Sequence, residues 1–172
     1  MTSSLSLAKV IAFTERHMLV ADIEIGSRRV SDVLNDSLSN HLTLSHVRIN
    51  RSERLDESIA TFDSVTVRKS VIQGLLILAE PIRAPHQRIA NFVAKTPFRV
   101  GVLIPAFFVV GDIMIGGKLD PAVQVLEGSE PFVALTDAQV TLTSRAGAPI
   151  AVPTALINRS RIELASAEPR SS

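Results

Sequence analysis

Sliding the 172-residue sequence on itself by 90 positions brings two stretches into register, and that self-match limits what the chain can fold into. Val20-Ala21-Asp22-Ile23-Glu24-Ile25-Gly26 falls over Val110-Gly111-Asp112-Ile113-Met114-Ile115-Gly116, with five of the seven pairs identical. The same displacement returns later, where Val65–Ile72 lies over Ala155–Ile162. Between these stretches the register wanders by one residue, as small insertions in surface loops produce. The chain therefore reads as two copies of one small unit, spanning 1–79 and 99–172. A connector over 80–98 carries Pro81, Pro85 and Pro97. Within it Ile89, Phe92 and Val93 have helical spacing, which predicts a short helix between the copies.

Each copy carries the same series of elements. In the first, strands are predicted over Lys9–Thr14 and Met18–Ile25, with a turn near Glu15-Arg16-His17. Ser31 is read as the cap of one or two helical turns that Asn35 ends. Strands resume over His41–Asn50 and Val65–Leu78. In the second copy, strands are predicted over Arg99–Ile104 and Phe107–Ile115. Asp120 and Pro121 open a helix as N-cap and first helical residue. Phe132–Thr143 is a strand, Arg145-Ala146-Gly147-Ala148 a turn, and Ile150–Leu164 a closing strand or bent strand pair with Pro153 at the bend. Roughly five short antiparallel strands cannot bury two faces as an open sheet of this size, so each copy is expected to bend into a small barrel. The expected class is mainly β, as a β-rich α+β fold: two tandem small antiparallel barrels, each with a short inserted helix, hiding edges from one another.

Two resemblances rest on these residues. Arg29-Val30-Ser31-Asp32-Val33-Leu34-Asn35, Phe132–Val140 and Ala155–Ile162 together resemble a small uncharacterised bacterial domain with the pattern RxSDxLN, FxxLTDAxV and vNrxxI. The helix motif is kept in the first copy and the Thr-Asp in the second. The strand order, with Gly111 in a second strand and Leu135-Thr136-Asp137-Ala138 in a third, is similar to the Sm-like barrel. That likeness implies ring assembly and RNA binding. The RNA-contacting signature departs from the pattern: His41 or Phe132 stands near the expected Asn, and Arg68-Lys69 and Asn158-Arg159 stand for the expected Arg-Gly.

Composition excludes several chemistries. The chain has no Cys, Tyr or Trp, so disulfides, thiolate metal sites and cysteine nucleophiles are out, and base stacking could come only from Phe or His. A formal charge of +1 does not by itself imply polyanion binding, although fourteen of the eighteen basic residues are Arg, which favours paired or stacked contacts. Met1 to Val10 lacks a basic region followed by an apolar run, and the uncharged apolar stretch Val100 to Gly111 is too short for a spanning helix. A cytoplasmic location without a membrane span is expected.

Candidate sites are few. His41 and His46, five apart on one strand, should face opposite ways, and a metal site would need His17 as well; no metal or cofactor is expected. Asp22 and Asp112 hold the same place in both copies and would form a carboxylate pair only by meeting across the pseudo-symmetry axis. Asp137 is read as a strand-end cap. No GxSxG elbow, phosphate loop or GxGxxG is present, so no catalytic residues are expected. Arg48, Arg51 and Arg54, interleaved with Glu53, Asp56 and Glu57, read as a solvated loop. Arg48, Arg51, Arg68 and Arg159 are the candidate contacts for a polyanion or a partner. The expected function is a non-enzymatic structural or protein-interaction module that associates with itself or a protein partner, and an isolated second copy should aggregate. Sm-like RNA binding is the alternative, and a hydrolase or isomerase using Asp22 and Asp112 is a third reading.

Overall fold

The computed structural model describes residues 6–81 and 94–168. The chain is mainly β. Strands β1 (Leu7–Phe13) and β2 (His17–Glu24) are followed by helix α1 (Val30–Asn35), then β3 (His41–Arg51), β4 (Arg54–Arg68), a 3₁₀ turn (Lys69–Val71) and β5 (Gly74–Ala79). The same order then repeats: β6 (Lys95–Leu103), β7 (Phe107–Gly116), α2 (Pro121–Glu127), β8 (Phe132–Leu142), β9 (Ile150–Asn158), a 3₁₀ turn (Arg159–Arg161) and β10 (Leu164–Glu168).

Backbone hydrogen bonds outside the ladders match pairwise between the halves. Ile72 N–H donates to the Lys69 carbonyl and Ile162 N–H to Arg159; Gln73 N–H donates to Phe13 and Glu163 N–H to Leu103. Both helices are short and depend on their ends. Asp120 accepts from the amides of Ala122 and Val123 at 2.8 and 3.3 Å, the cap expected for α2. At α1 the expected Ser31 cap lies inside the helix. Asp32 instead accepts from Arg29 N–H at 3.1 Å, and the Glu80 carboxylate accepts from Val30 N–H at 2.7 Å. A carboxylate is the better acceptor at the positive end of a helix, which moves the start two residues upstream.

All ten strands form one open antiparallel sheet in the order β10-β6-β7-β8-β9-β5-β1-β2-β3-β4. The two expected five-strand units are sectors of this sheet, and among the described residues no ladder closes either sector on itself. One face of each sector lines its own apolar cluster. Val10, Ile23, Leu44 and Leu75 belong to the first, and Val100, Val109, Leu135 and Val140 to the second.

A bulge keeps the apolar side chains of the third strand of each sector facing inward. Val20 pairs with Arg48 and Asp22 with Ser45, so Ala21 faces two residues, His46 and Val47. Val110 pairs with Gln139 and Asp112 with Thr136, so Gly111 faces Asp137 and Ala138. The extra residue resets the two-residue alternation, so Leu42, Leu44 and Val47 are all buried. His46 and Asp137 take the left-handed backbone there, with φ of 50° and 48°.

Three boundaries differ from expectation. Arg54–Ser64, read as solvated loop, belongs to the 15-residue β4, because its ladder with β3 continues while both faces stay largely open to water. The closing strand of each half is broken by its 3₁₀ turn, and Pro153 lies inside β9, opposite the ladder gap at Asp137, where its missing N–H costs no bond. The connector helix expected around Ile89, Phe92 and Val93 falls outside the described residues. Among the described residues, no helix is long and apolar enough to cross a membrane.

Candidate functional site

The two halves join where β5 of the first pairs with β9 of the second. Gly74, Leu75, Leu76 and Ile77 face Ile157, Leu156, Ala155 and Thr154. Both faces of this ladder are dry: Leu75, Leu76, Ala155 and Leu156 are all buried. The clusters interlock across it. Phe132 and Leu156 belong to the first cluster, and Phe13, Met18 and Leu76 to the second. The Phe13 and Phe107 rings meet edge-on with centroids 5.3 Å apart.

Side-chain amides fasten the seam. Asn35, at the end of α1, accepts from Phe132 N–H at 2.9 Å and donates to the Phe132 carbonyl at 3.1 Å. Asn158 donates its side-chain amide to the Ile72 carbonyl at 2.8 Å and its backbone N–H to the Gln73 carbonyl at 2.9 Å. Arg161 reaches the Ser70 carbonyl at 3.2 Å. Gln73 is buried, and its Oε1 has no hydrogen-bond partner among the described residues.

A cleft of about 1110 Å³ opens over one end of this seam, with Asn40, His41, Arg68 and Lys69 on one wall and Leu126 and Arg159 on the other. Its two most buried cations are already engaged. Lys69 donates to the Asp36 carbonyl at 2.9 Å, and burial holds its ammonium below the ordinary lysine range. Arg159 donates to the carbonyls of Gln124, Val125 and Glu130; burial opposes its charge and the Glu130 carboxylate supports it.

The four candidate arginines do not converge. Arg68 lies opposite His41 at one end of β3, while Arg51 lies opposite His17 and Arg54 at the other end. Ten residues of extended chain separate those ends, roughly 30 Å. Arg48 faces Val20 and Thr61, near Arg51. Arg159 is turned onto α2. Of the four, only Arg68 is both at the cleft and without a side-chain partner among the described residues.

Asp22 and Asp112 do not meet. Asp22 pairs with His46 at 3.1 Å on β2, and Asp112 pairs with Arg99 at 3.2 Å on β7, with four strands between them in the sheet. Arg99 also donates to the Asp137 carbonyl at 3.1 Å, so each carboxylate steadies the bulge of its own sector. Asp137, read as a strand-end cap, is that bulge residue. His41 and His46 are both exposed, because the bulge breaks the alternation that would have turned them apart. His17 lies at the other end of the β2–β3 ladder from them, and His86 is outside the described residues. Among the described residues no three His, Asp or Glu side chains come together in a way that could hold a metal ion.

Sequence reasoning missed the roles of Asn35, Gln73 and Asn158 at the seam and of Lys69 at the cleft. A signal existed for two of them: Lys69 falls over Arg159 in the repeat, and Asn158 is polar within an apolar strand. Comparison with family models, curated proteins and solved structures returns no match.

Proposed function

We propose that the chain is a non-enzymatic structural and protein-interaction module: two tandem Sm-like small barrels, each with an inserted helix, fused through one strand ladder and assembling through strand edges. The observation that carries this reading is the sheet order. The β5–β9 ladder is the surface through which one half recognises the other, and the sheet ends on β4 and β10, which have no further strand partner among the described residues. Unpaired edges are templates for another strand. Both are apolar in part, with Ile59 and Phe62 exposed on β4 and Leu164 on β10.

RNA binding through Arg48, Arg51, Arg68 and Arg159 has less support, since the four do not converge on one surface. Catalysis by Asp22 and Asp112 has less still, since each is committed to a side-chain partner in its own sector, His46 and Arg99. The test is a photo-crosslinking amino acid at Thr66 on β4 or Ser166 on β10, activated in cells that make the full chain. Protein adducts at both edges are expected. RNA adducts would turn the assignment to the nucleic-acid reading, and adducts at neither edge would end the edge-binding reading.

A further inference from the structure

We propose that Lys69 is an acylation site, its Nζ taking the acyl group of a small acyl phosphate whose phosphoryl group Arg68 holds; this chemistry is separate from binding at the strand edges. The chain has Lys9, Lys69, Lys95 and Lys118 as its lysines. Lys9, Lys95 and Lys118 are exposed, whereas Lys69 is 8% exposed. It lines two openings at once, the cleft over the seam and a neighbouring cavity of about 510 Å³ that runs to Glu24 and Arg28. A side chain so placed is shielded from bulk water yet open to a small solute. Its backbone is held as well, since Lys69 N–H donates to the Asn40 carbonyl at 2.9 Å.

Among the described residues Nζ makes one hydrogen bond, to the Asp36 carbonyl at 2.9 Å. A neutral amine keeps that bond through one N–H and has its lone pair left for an electrophile. Burial favours the neutral form, and Arg28 acts in the same direction; the Asp36 carboxylate opposes it but is itself paired with Arg28 at 2.6 Å. Arg68, the preceding residue, stands on the cleft wall with no side-chain partner among the described residues, across the ladder from His41, and is free to take an anion. In the step, Nζ attacks the acyl carbonyl carbon and the bond from that carbon to the phosphate oxygen breaks. Inorganic phosphate leaves with the electron pair, one amine proton passes to water, and an uncharged amide remains on Lys69. The second half lacks both parts. Arg159, in the equivalent place, spends its guanidinium on three carbonyls and has no lone pair to offer, and Asn158, equivalent to Arg68, is uncharged and buried.

The experiment exposes the folded full chain to acetyl phosphate at neutral pH and reads the acetylation rate at each lysine by peptide mass spectrometry. Lys69 is expected to react several-fold faster than Lys9, Lys95 or Lys118, and to lose that lead in urea, where all of them are solvated alike. Arg68→Gln should lose most of the lead with acetyl phosphate but keep it with acetic anhydride, which has no phosphoryl group to hold. Far-UV circular dichroism checks that this variant folds. If it does not, added inorganic phosphate is the deciding reading on the wild type: it should slow acetylation of Lys69 and leave the exposed lysines unaffected. An exposed lysine that reacts as fast as Lys69 in the folded chain, or a lead that survives in urea, overturns the inference. So does a folded Arg68→Gln chain that keeps its lead with acetyl phosphate or, in its place, a wild type that phosphate does not slow at Lys69.

Discussion

Lys69 and Arg159 lie ninety residues apart and make the same contact: each opens a 3₁₀ turn at the end of a strand and turns its cation onto the C-terminal end of the inserted helix of its own half. The last carbonyls of a helix have no partner within it, and a cation there also suits the helix dipole. Helices of six and seven residues would not persist alone in water. Here each is tied to the strand that reaches the seam.

The two contacts should differ in strength. Arg159 reaches three carbonyls, with Gln124 at 2.6 Å and Glu130 at 2.7 Å besides Val125, whereas Lys69 reaches one at 2.9 Å. Arg159→Met should lose about 2–3 kcal/mol of stability and Lys69→Met about half that, since a buried hydrogen bond from a charged donor contributes about 1.5–3 kcal/mol and Lys69 recovers part of its burial cost. Urea unfolding followed by far-UV circular dichroism measures both. A larger loss at Lys69 would contradict the assignment.

The same groups set a pH dependence. Burial lowers the Lys69 pKa from its ordinary 10.5, with Arg28 acting the same way and Asp36 opposing. The folded chain therefore binds fewer protons at this site than the unfolded chain, and stability should rise with pH between the folded value and 10.5. Asp36 gives the same sign at the acid end. The Arg28 hydrogen bond, followed by the Leu38 amide, lowers its pKa from 3.8, so its contribution is present above 3.8 and is lost as pH falls through the folded value. Melting temperature against pH should lose its alkaline rise in Lys69→Met and part of its acid fall in Arg28→Ala. Unchanged profiles would refute both assignments.

What the sequence made legible follows from where the physics is local. Alternating apolar residues and the Asp120-Pro121 pair announce strands and a helix start through neighbouring residues, and those elements stand where they were expected. Arg54–Ser64 carries no such pattern, because a strand exposed on both faces needs no apolar side; its existence depends on the ladder with β3. Whether five strands close on themselves or continue into the next five depends on which strand β5 meets, a contact some eighty residues away in the chain. The seam amides were hidden for the same reason. Asn35 reads as a helix terminator, and only Phe132, 97 residues on, makes it a clasp.

The tightness of the seam can be tested at Gly74. A Cβ there would lie 2.6 Å from Cζ and 2.9 Å from Cε1 of Phe107, the ring that also meets Phe13. Gly74→Ala should cost about 1–3 kcal/mol by overpacking. Phe107→Leu in the same chain should recover part of that loss, so the double variant should be less destabilised than the sum of the singles. Additive losses in urea unfolding would mean the two positions do not touch.

The two bulges predict a contrast between equivalent positions. Asp137 has a φ of 48°, a region that β-branched residues adopt at a cost of roughly 1–2 kcal/mol, and its side chain carries none of the bulge contacts. Asp137→Val should therefore destabilise by about that amount, while Asp137→Gly should stay within about 1 kcal/mol of wild type. Opposite this bulge, a Cβ on Gly111 would meet Leu135 Cβ at 2.9 Å and the Thr136 carbonyl oxygen at 3.1 Å, whereas the first half carries Ala21 at the equivalent place. Gly111→Ala should destabilise and Ala21→Gly should do little beyond its backbone entropy, about 0.5–1 kcal/mol. Equal effects at the two positions, measured by urea unfolding, would show that the second bulge is no tighter than the first.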